Sequence, residues 1–218
     1  MNDEHTHIAI ILDRTGSMQG IRDDTIGGFN AFVAEQRQLP GTATLTLVQF
    51  DSQDPYEVIH KAMPIADVPE LTAATYVPRA STPLLDAVGR GINDLDATLA
   101  ALSEDERPGK VVFAIVTDGY ENASREFSKD DITRMISDHQ ERADWQFVFL
   151  SADLTAFQDA GRYGIHYDKR LHFAKTAAGT ADAWSTVSAR TADYRSGTKG
   201  QLGFEMGDRK TEQDPEGD

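Results

Sequence analysis

The sequence predicts an α/β protein, a doubly wound and mostly parallel six-stranded sheet with one antiparallel edge strand and helices on both faces. Two observations carry this expectation. The runs Ile-Ala-Ile-Ile-Leu at 8–12 and Val-Val-Phe-Ala-Ile-Val at 111–116 are apolar at every position, as strands are when helices cover both sides of a parallel sheet. Segments with apolar residues at helical spacing separate these runs from the other strand-like stretches, in the order βαββαβαβαβα.

Residues 8–12 form the first strand, and Asp13 stands where it runs out. From 17 to 38, Met18, Ile21, Ile26, Phe29, Phe32 and Val33 fall near helical spacing, Gly27-Gly28 allows close approach of a neighbour, and Pro40-Gly41 ends the helix. Residues 42–50 alternate β-branched and apolar side chains. The same style resumes at 56–60 after Asp51-Ser52-Gln53-Asp54-Pro55, which reads as a hairpin with its second strand at or near an edge.

Residues 63–80 show no period and read as a long surface loop with a short helical turn near 68–71. Thr82 as N-cap and Pro83 at the first helical position begin a helix to about Leu102, whose stripe of Leu84, Leu85, Val88, Ile92, Leu95 and Leu99 faces the sheet. After the strand at 111–117, Ser128 caps a third helix, with Asp131 three residues on as a weak capping box. Residues 145–151 are a further strand, Asp153 caps a short helix ending near Gly161 or Gly164, 171–174 make a last short strand, and 176–194 a final helix. The domain is expected to span 1–195, and 196–218, where Gly, Pro and charged residues predominate, to be a mobile acidic tail.

Composition narrows the function. The chain has 218 residues, enough for one domain with a substantial core, and lacks cysteine, which leaves no disulfide framework or thiol metal site. A formal charge of −15 with scattered Lys and Arg argues against nucleic acid as a partner. No apolar run reaches membrane-spanning length and the first residues lack a secretory pattern, so no membrane partner and a cytoplasmic location are expected.

The chemistry-bearing residues sit where the two Asp-ended strands stop. Asp13, Thr15 and Ser17 leave the first strand with alternate spacing, a set of hard oxygens that suits Mg²⁺ or Mn²⁺. Asp and Ser after a strand also serve as helix N-caps, with Gly16 simply making a turn. If the strand order is 3-2-1-4-5-6, however, the first and fourth strands are the central pair, and ligands bind outside their carboxyl ends. Asp13 and Asp118 then emerge side by side, with the loop carrying Thr82 at the same end.

Asp13-Arg14-Thr15-Gly16-Ser17, Ser81-Thr82-Pro83-Leu84-Leu85-Asp86-Ala87 and Val116-Thr117-Asp118-Gly119 followed by Glu121-Asn122 together resemble the metal-ion-dependent adhesion site of von Willebrand factor A domains. The resemblance extends over residues 6–195 in architecture. It implies that Thr15 and Ser17 bind the metal directly, Thr82 directly or through water, and Asp13 and Asp118 mainly through water. Thr15 departs from the usual Ser of that pattern but keeps the hydroxyl.

What the resemblance implies is a non-enzymatic module for metal-dependent protein interaction, with an acidic side chain of a partner completing the metal's coordination. In bacteria and phages such modules are often adaptors for AAA+ ATPases of the MoxR type. Tyr120 and Glu121 are expected on the recognition rim, together with Arg14, which either grips a partner carboxylate or points into solvent.

Two rivals remain open. One is a Mg²⁺-dependent phosphohydrolase with Asp13 as nucleophile, although Asp-x-Thr lacks the second carboxylate of Asp-x-Asp. The other is a purely structural metal site. His5 and His7 are assigned to a frayed terminus, His60, His139, His166 and His172 carry no assigned chemistry, and Trp145 and Trp184 are expected in the core.

Overall fold

The computed structural model describes residues 2–209. Six strands form one sheet in the order β3-β2-β1-β4-β5-β6. These are β1 (Asn2–Asp13), β2 (Thr42–Phe50), β3 (Glu57–Pro64), β4 (Pro108–Thr117), β5 (Gln146–Ser151) and β6 (Arg170–His172). The β2–β3 pair is antiparallel and the others are parallel, so β3 is the antiparallel edge.

Among the described residues five α-helices cover the sheet: α1 (Arg22–Arg37), α2 (Leu84–Ala100), α3 (Lys129–Ala143), α4 (Leu154–Arg162) and α5 (Ala177–Arg195). Alternate residues of β1 face opposite sides. Ile8, Ile10 and Leu12 pack with Phe29, Phe32 and Val33 of α1 and Trp184 and Val187 of α5. Ala9 and Ile11 pack with Val88, Ile92 and Leu95 of α2, Ile132 and Ile136 of α3 and Ala156 and Ala160 of α4. An uninterrupted apolar run is what such two-sided burial requires.

The close approach expected at the glycine pair belongs to Gly28 alone. A Cβ there would lie 2.2 Å from Trp184 Cδ1, whereas one on Gly27 meets nothing within 4 Å. The Trp184 ring is met edge-on by Phe29 and Phe32, with centroids 6.1 and 6.0 Å away. Trp145 is likewise buried, stacked on Phe113.

Local signals and structure agree at three helix starts. Ser128 and Asp131 make a full capping box on α3, Asp153 accepts from Ala156 N–H, and Thr176 accepts from Gly179 N–H. Elsewhere long-range contacts override the local pattern. The helix expected from 17 begins as a 3-10 turn, Gly16–Ile21, before α1. The turn expected near 68–71 lies at Ile65–Asp67, and Val68, Leu71 and Tyr76 of the following loop enter the core.

Two expectations about the ends need correction. The amino-terminal segment is not frayed: β1 starts at Asn2, and His7 is buried with its Nδ1 2.9 Å from Thr44 Oγ1, which His5 Nε2 also meets at 3.0 Å. Part of the expected tail is anchored on the domain, since Leu202 and Phe204 join the α1–α5 side of the core while 196–201 and 205–207 are exposed. Leu202 N–H donates to Gln146 Oε1 at 3.2 Å, and the Arg190 guanidinium grips both carboxylate oxygens of Asp208 at 2.9 and 2.8 Å. Residues 210–218 of the expected tail lie outside the described residues.

Candidate metal centre

The order in which strands are added to the sheet reverses between β1 and β4, which run parallel with Leu12 opposite Val116, so Asp13 and Asp118 leave the sheet from adjacent central strands. Asp13 is fully buried. Its Oδ1 accepts the Thr15 N–H at 2.6 Å and its Oδ2 the Thr117 hydroxyl at 2.6 Å. Burial pushes its carboxyl up to about 7; the hydrogen bonds from Thr117 and Thr15 oppose this, and the charge of Asp118 adds to it.

Thr15 is in extended conformation and Ser17 sits in the 3-10 turn, which Met18 closes by donating its N–H to Thr15 O at 3.0 Å. Thr15 Oγ1 lies 3.1 Å from Ser17 Oγ, and Ser17 Oγ donates to Asp118 Oδ1 at 2.5 Å. Asp13, Thr15, Ser17 and Asp118 are thus joined in one polar chain. Thr82 arrives from the loop before α2. A Cβ built on Gly119 would lie 3.3 Å from Ser17 Oγ and 3.4 Å from Thr82 Oγ1, so both hydroxyls converge on that glycine.

Thr82 does not cap α2. Pro83 takes the N-cap position without a side-chain bond, and Thr82 is instead paired with Asn122 in both directions, N–H to Oδ1 at 2.9 Å and O from N–H at 3.1 Å. The helix terminus is satisfied from the loop after β4, because Leu85 N–H donates to Glu121 Oε2 at 2.9 Å and Asp86 N–H to Ser124 Oγ at 3.1 Å. Asp86 returns the contact by accepting the N–H groups of Arg125, Glu126 and Phe127 at 2.8, 2.9 and 3.0 Å.

Of the three residues expected on the rim, Tyr120 is 54% exposed. Glu121 is turned inward: its Oε1 accepts Ala123 and Ser124 N–H, both at 2.8 Å, besides its contact with α2. Arg14 is also not at the rim, nor in solvent. Its side chain is 6% exposed, paired with buried Asp51 at 2.9 Å and with Glu57, and donates to Gln49 at 3.2 Å. Burial alone would raise the Asp51 carboxyl, but Arg79, two backbone N–H groups and Arg14 hold it below the usual carboxylate range.

Three further residues complete the site. Thr117 orients Asp13, and Tyr76 donates its hydroxyl to Asp13 O at 2.6 Å from the loop before α2. Lys175 places Nζ 2.5 Å from Asp118 Oδ2, a charge contact without hydrogen-bond alignment, because that buried oxygen makes no hydrogen bond. Thr117 lay inside the quoted motif, whereas nothing near Tyr76 or Lys175 in sequence marks them.

The arrangement fits a hard divalent cation. Asp118 Oδ2 is a buried oxygen without a hydrogen bond, and Gly119 leaves open the space where a side chain would meet both hydroxyls. The donors are carboxylate and hydroxyl oxygens, the chemistry that suits Mg²⁺ or Mn²⁺. Among the described residues no group of three or more His, Asp or Glu side chains offers a competing metal site.

Fold and site together define an α/β domain with an acid-and-hydroxyl cluster at the switch point of a doubly wound sheet. Specifically, this is the fold of von Willebrand factor A domains. Proximal thread matrix protein 1 from the mussel byssus superposes with a TM-score of 0.61 over 88% of this chain and 46% of its own, at 14% identity. A von Willebrand factor type A structure from Catenulispora acidiphila gives 0.56 over 86% and 42%, at 15% identity. The manganese-loaded TRAP protein of Plasmodium vivax gives 0.54 over 83% and 73%, at 10% identity.

Another structure of the mussel protein has zinc in its MIDAS motif, with a TM-score of 0.57 over 86% of this chain and 46% of its own, at 13% identity. The chain spans less than half the length of the mussel and Catenulispora structures. No family model and no curated protein sequence matches.

Proposed function

We propose that this domain binds Mg²⁺ or Mn²⁺ through Asp13, Thr15, Ser17, Thr82 and Asp118 and mediates metal-dependent protein–protein interaction. The observation that carries the reading is the continuous chain from Asp13 through Thr15 and Ser17 to Asp118, whose buried Oδ2 makes no hydrogen bond and meets the Lys175 ammonium at 2.5 Å. When bound, the metal supplies a Lewis-acidic position for an acidic side chain of the partner. Thr117 and Thr15 hold Asp13 in orientation, Asn122 fixes the Thr82 backbone, and Tyr120 offers an exposed ring at the same loops.

The proposed setting is cytoplasmic, with an AAA+ ATPase of the MoxR type as the partner class suggested by the resemblance. Among the described residues no helix is long and apolar enough to cross a membrane. We assign no catalytic group. Asp13 is 0% exposed with both oxygens already accepting hydrogen bonds, a poor placement for the nucleophile of a phosphohydrolase.

Calorimetric titration with Mg²⁺ or Mn²⁺ tests the site. The expected result is one equivalent bound by the wild type and none by Ser17→Ala or Asp118→Ala, with unchanged circular dichroism; equal binding by the variants refutes the assignment. Capture of a MoxR-type ATPase with and without EDTA then separates an interaction site from a structural one, since only the first loses the partner on chelation.

A further inference from the structure

The last strand brings a cation to the site. β6 runs parallel to β5 and ends at His172, and the turn that follows carries Lys175. The base of this side chain is fixed: Phe173 N–H donates to Ser151 O at 3.0 Å, and Thr176 N–H to Ala174 O at 2.7 Å. A Cβ on Gly179 would lie 2.2 Å from Ala174 O, so α5 begins this close to the turn only because residue 179 is glycine. The arm is held only at its tip. The Lys175 side chain is 41% exposed on a flexible aliphatic stem, with its ammonium 2.5 Å from Asp118 Oδ2.

This contact differs from an ordinary surface ion pair in two ways. The Asp118 side chain is 0% exposed, so the ammonium is the counter-charge of a carboxylate withdrawn from water. The oxygen it touches is also the one that makes no hydrogen bond and is available to a metal or its bound water. Two cations cannot share that oxygen without strong mutual repulsion at such short range.

We propose that Lys175 is a tethered competitor of the divalent ion, neutralising Asp118 in the metal-free protein and swinging into solvent when the site is loaded. The inference rests on the metal-binding reading given above. Lys175 thereby sets the metal affinity, holding it below what the oxygen donors alone would give.

The test titrates Mn²⁺ into wild type, Lys175→Met, Lys175→Arg and Asp118→Asn by calorimetry, with thermal melts in EDTA alongside. Lys175→Met is expected to bind about tenfold tighter or more, the shift produced by removing one competing charge contact. Lys175→Arg, which keeps the charge, is expected to bind more weakly than Lys175→Met, and Asp118→Asn not to bind. In EDTA, Lys175→Met is expected to melt below wild type, because Asp118 loses its counter-charge, and to regain more on adding Mn²⁺. Equal or weaker binding by Lys175→Met, with wild-type binding intact, overturns this inference alone. Absence of binding in both wild type and Lys175→Met overturns the metal reading as well.

Discussion

The hydroxyl of Thr117 donates to Asp13 Oδ2 at 2.6 Å, from one central strand to the next across 104 residues of sequence. Gly119 O lies 3.0 Å from the same hydroxyl, but its single proton goes to the shorter, charge-assisted contact. Thr117→Val keeps the β-branched shape and removes the donor. Urea unfolding in EDTA is expected to show a loss of about 1–2 kcal/mol, and calorimetry weaker Mn²⁺ binding because Asp13 loses its orientation.

Arg14 and Asp51 form a buried pair at 2.9 Å, and Arg79 meets the same Asp51 oxygen at 2.9 Å with a 41% exposed side chain. Removing Arg14 leaves Asp51 buried against one half-exposed cation. Arg14→Met is therefore expected to cost about 3 kcal/mol by chemical denaturation, and the Arg14→Met, Asp51→Asn double variant less than the sum of the two singles. Metal stoichiometry is expected to remain one, since Arg14 contributes no oxygen to the site.

The two neighbouring glycines of α1 separate steric from conformational effects. Gly28→Ala drives a methyl into Trp184 Cδ1 and is expected to lower stability by about 1–3 kcal/mol. Gly27→Ala meets open space and is expected to raise stability by about 0.5–1 kcal/mol through helix propensity. Equal melting temperatures for the two variants would contradict the packing of α1 on α5.

Burial, aided by the neighbouring His5, pushes the His7 imidazole down to about 4. The unfolded chain therefore binds more protons between about pH 6.5 and 4, and the stability contributed by neutral His7 is present above that window and lost on descending it. Asp13, raised to about 7, acts in the opposite sense across the same range. The difference between wild type and His7→Gln isolates the histidine. In EDTA the variant is expected to gain on wild type by at most about 3 kcal/mol from pH 7 to 4. A flat difference would show that His7 titrates normally.

Much of the fold was legible because its signals are local. Continuous apolar runs mark β1 and β4, and Ser128 and Asp153 announce helix starts with their own side chains. The expected gathering of Asp13, Thr15, Ser17, Thr82 and Asp118 rested on an assumed strand order, which the sheet has, together with the family resemblance of the three motifs. What escaped depends on partners distant in sequence. Thr82 looks like a cap until Asn122 is beside it, and Arg14 looks like a surface residue until Asp51 and Glu57 close over it. Lys175 carries no local mark, and Leu202 and Phe204 are isolated apolar residues in a stretch without period.

The clasp of Arg190 on Asp208 has a practical bearing on any shortened version of this protein. Trimming at Arg195, where the last long helix stops, would strip away Leu202 and Phe204 and leave a greasy scar on the α1–α5 side of the core. A fragment meant to stand alone in a binding assay has to retain the chain at least through Asp208, or its stickiness will masquerade as recognition.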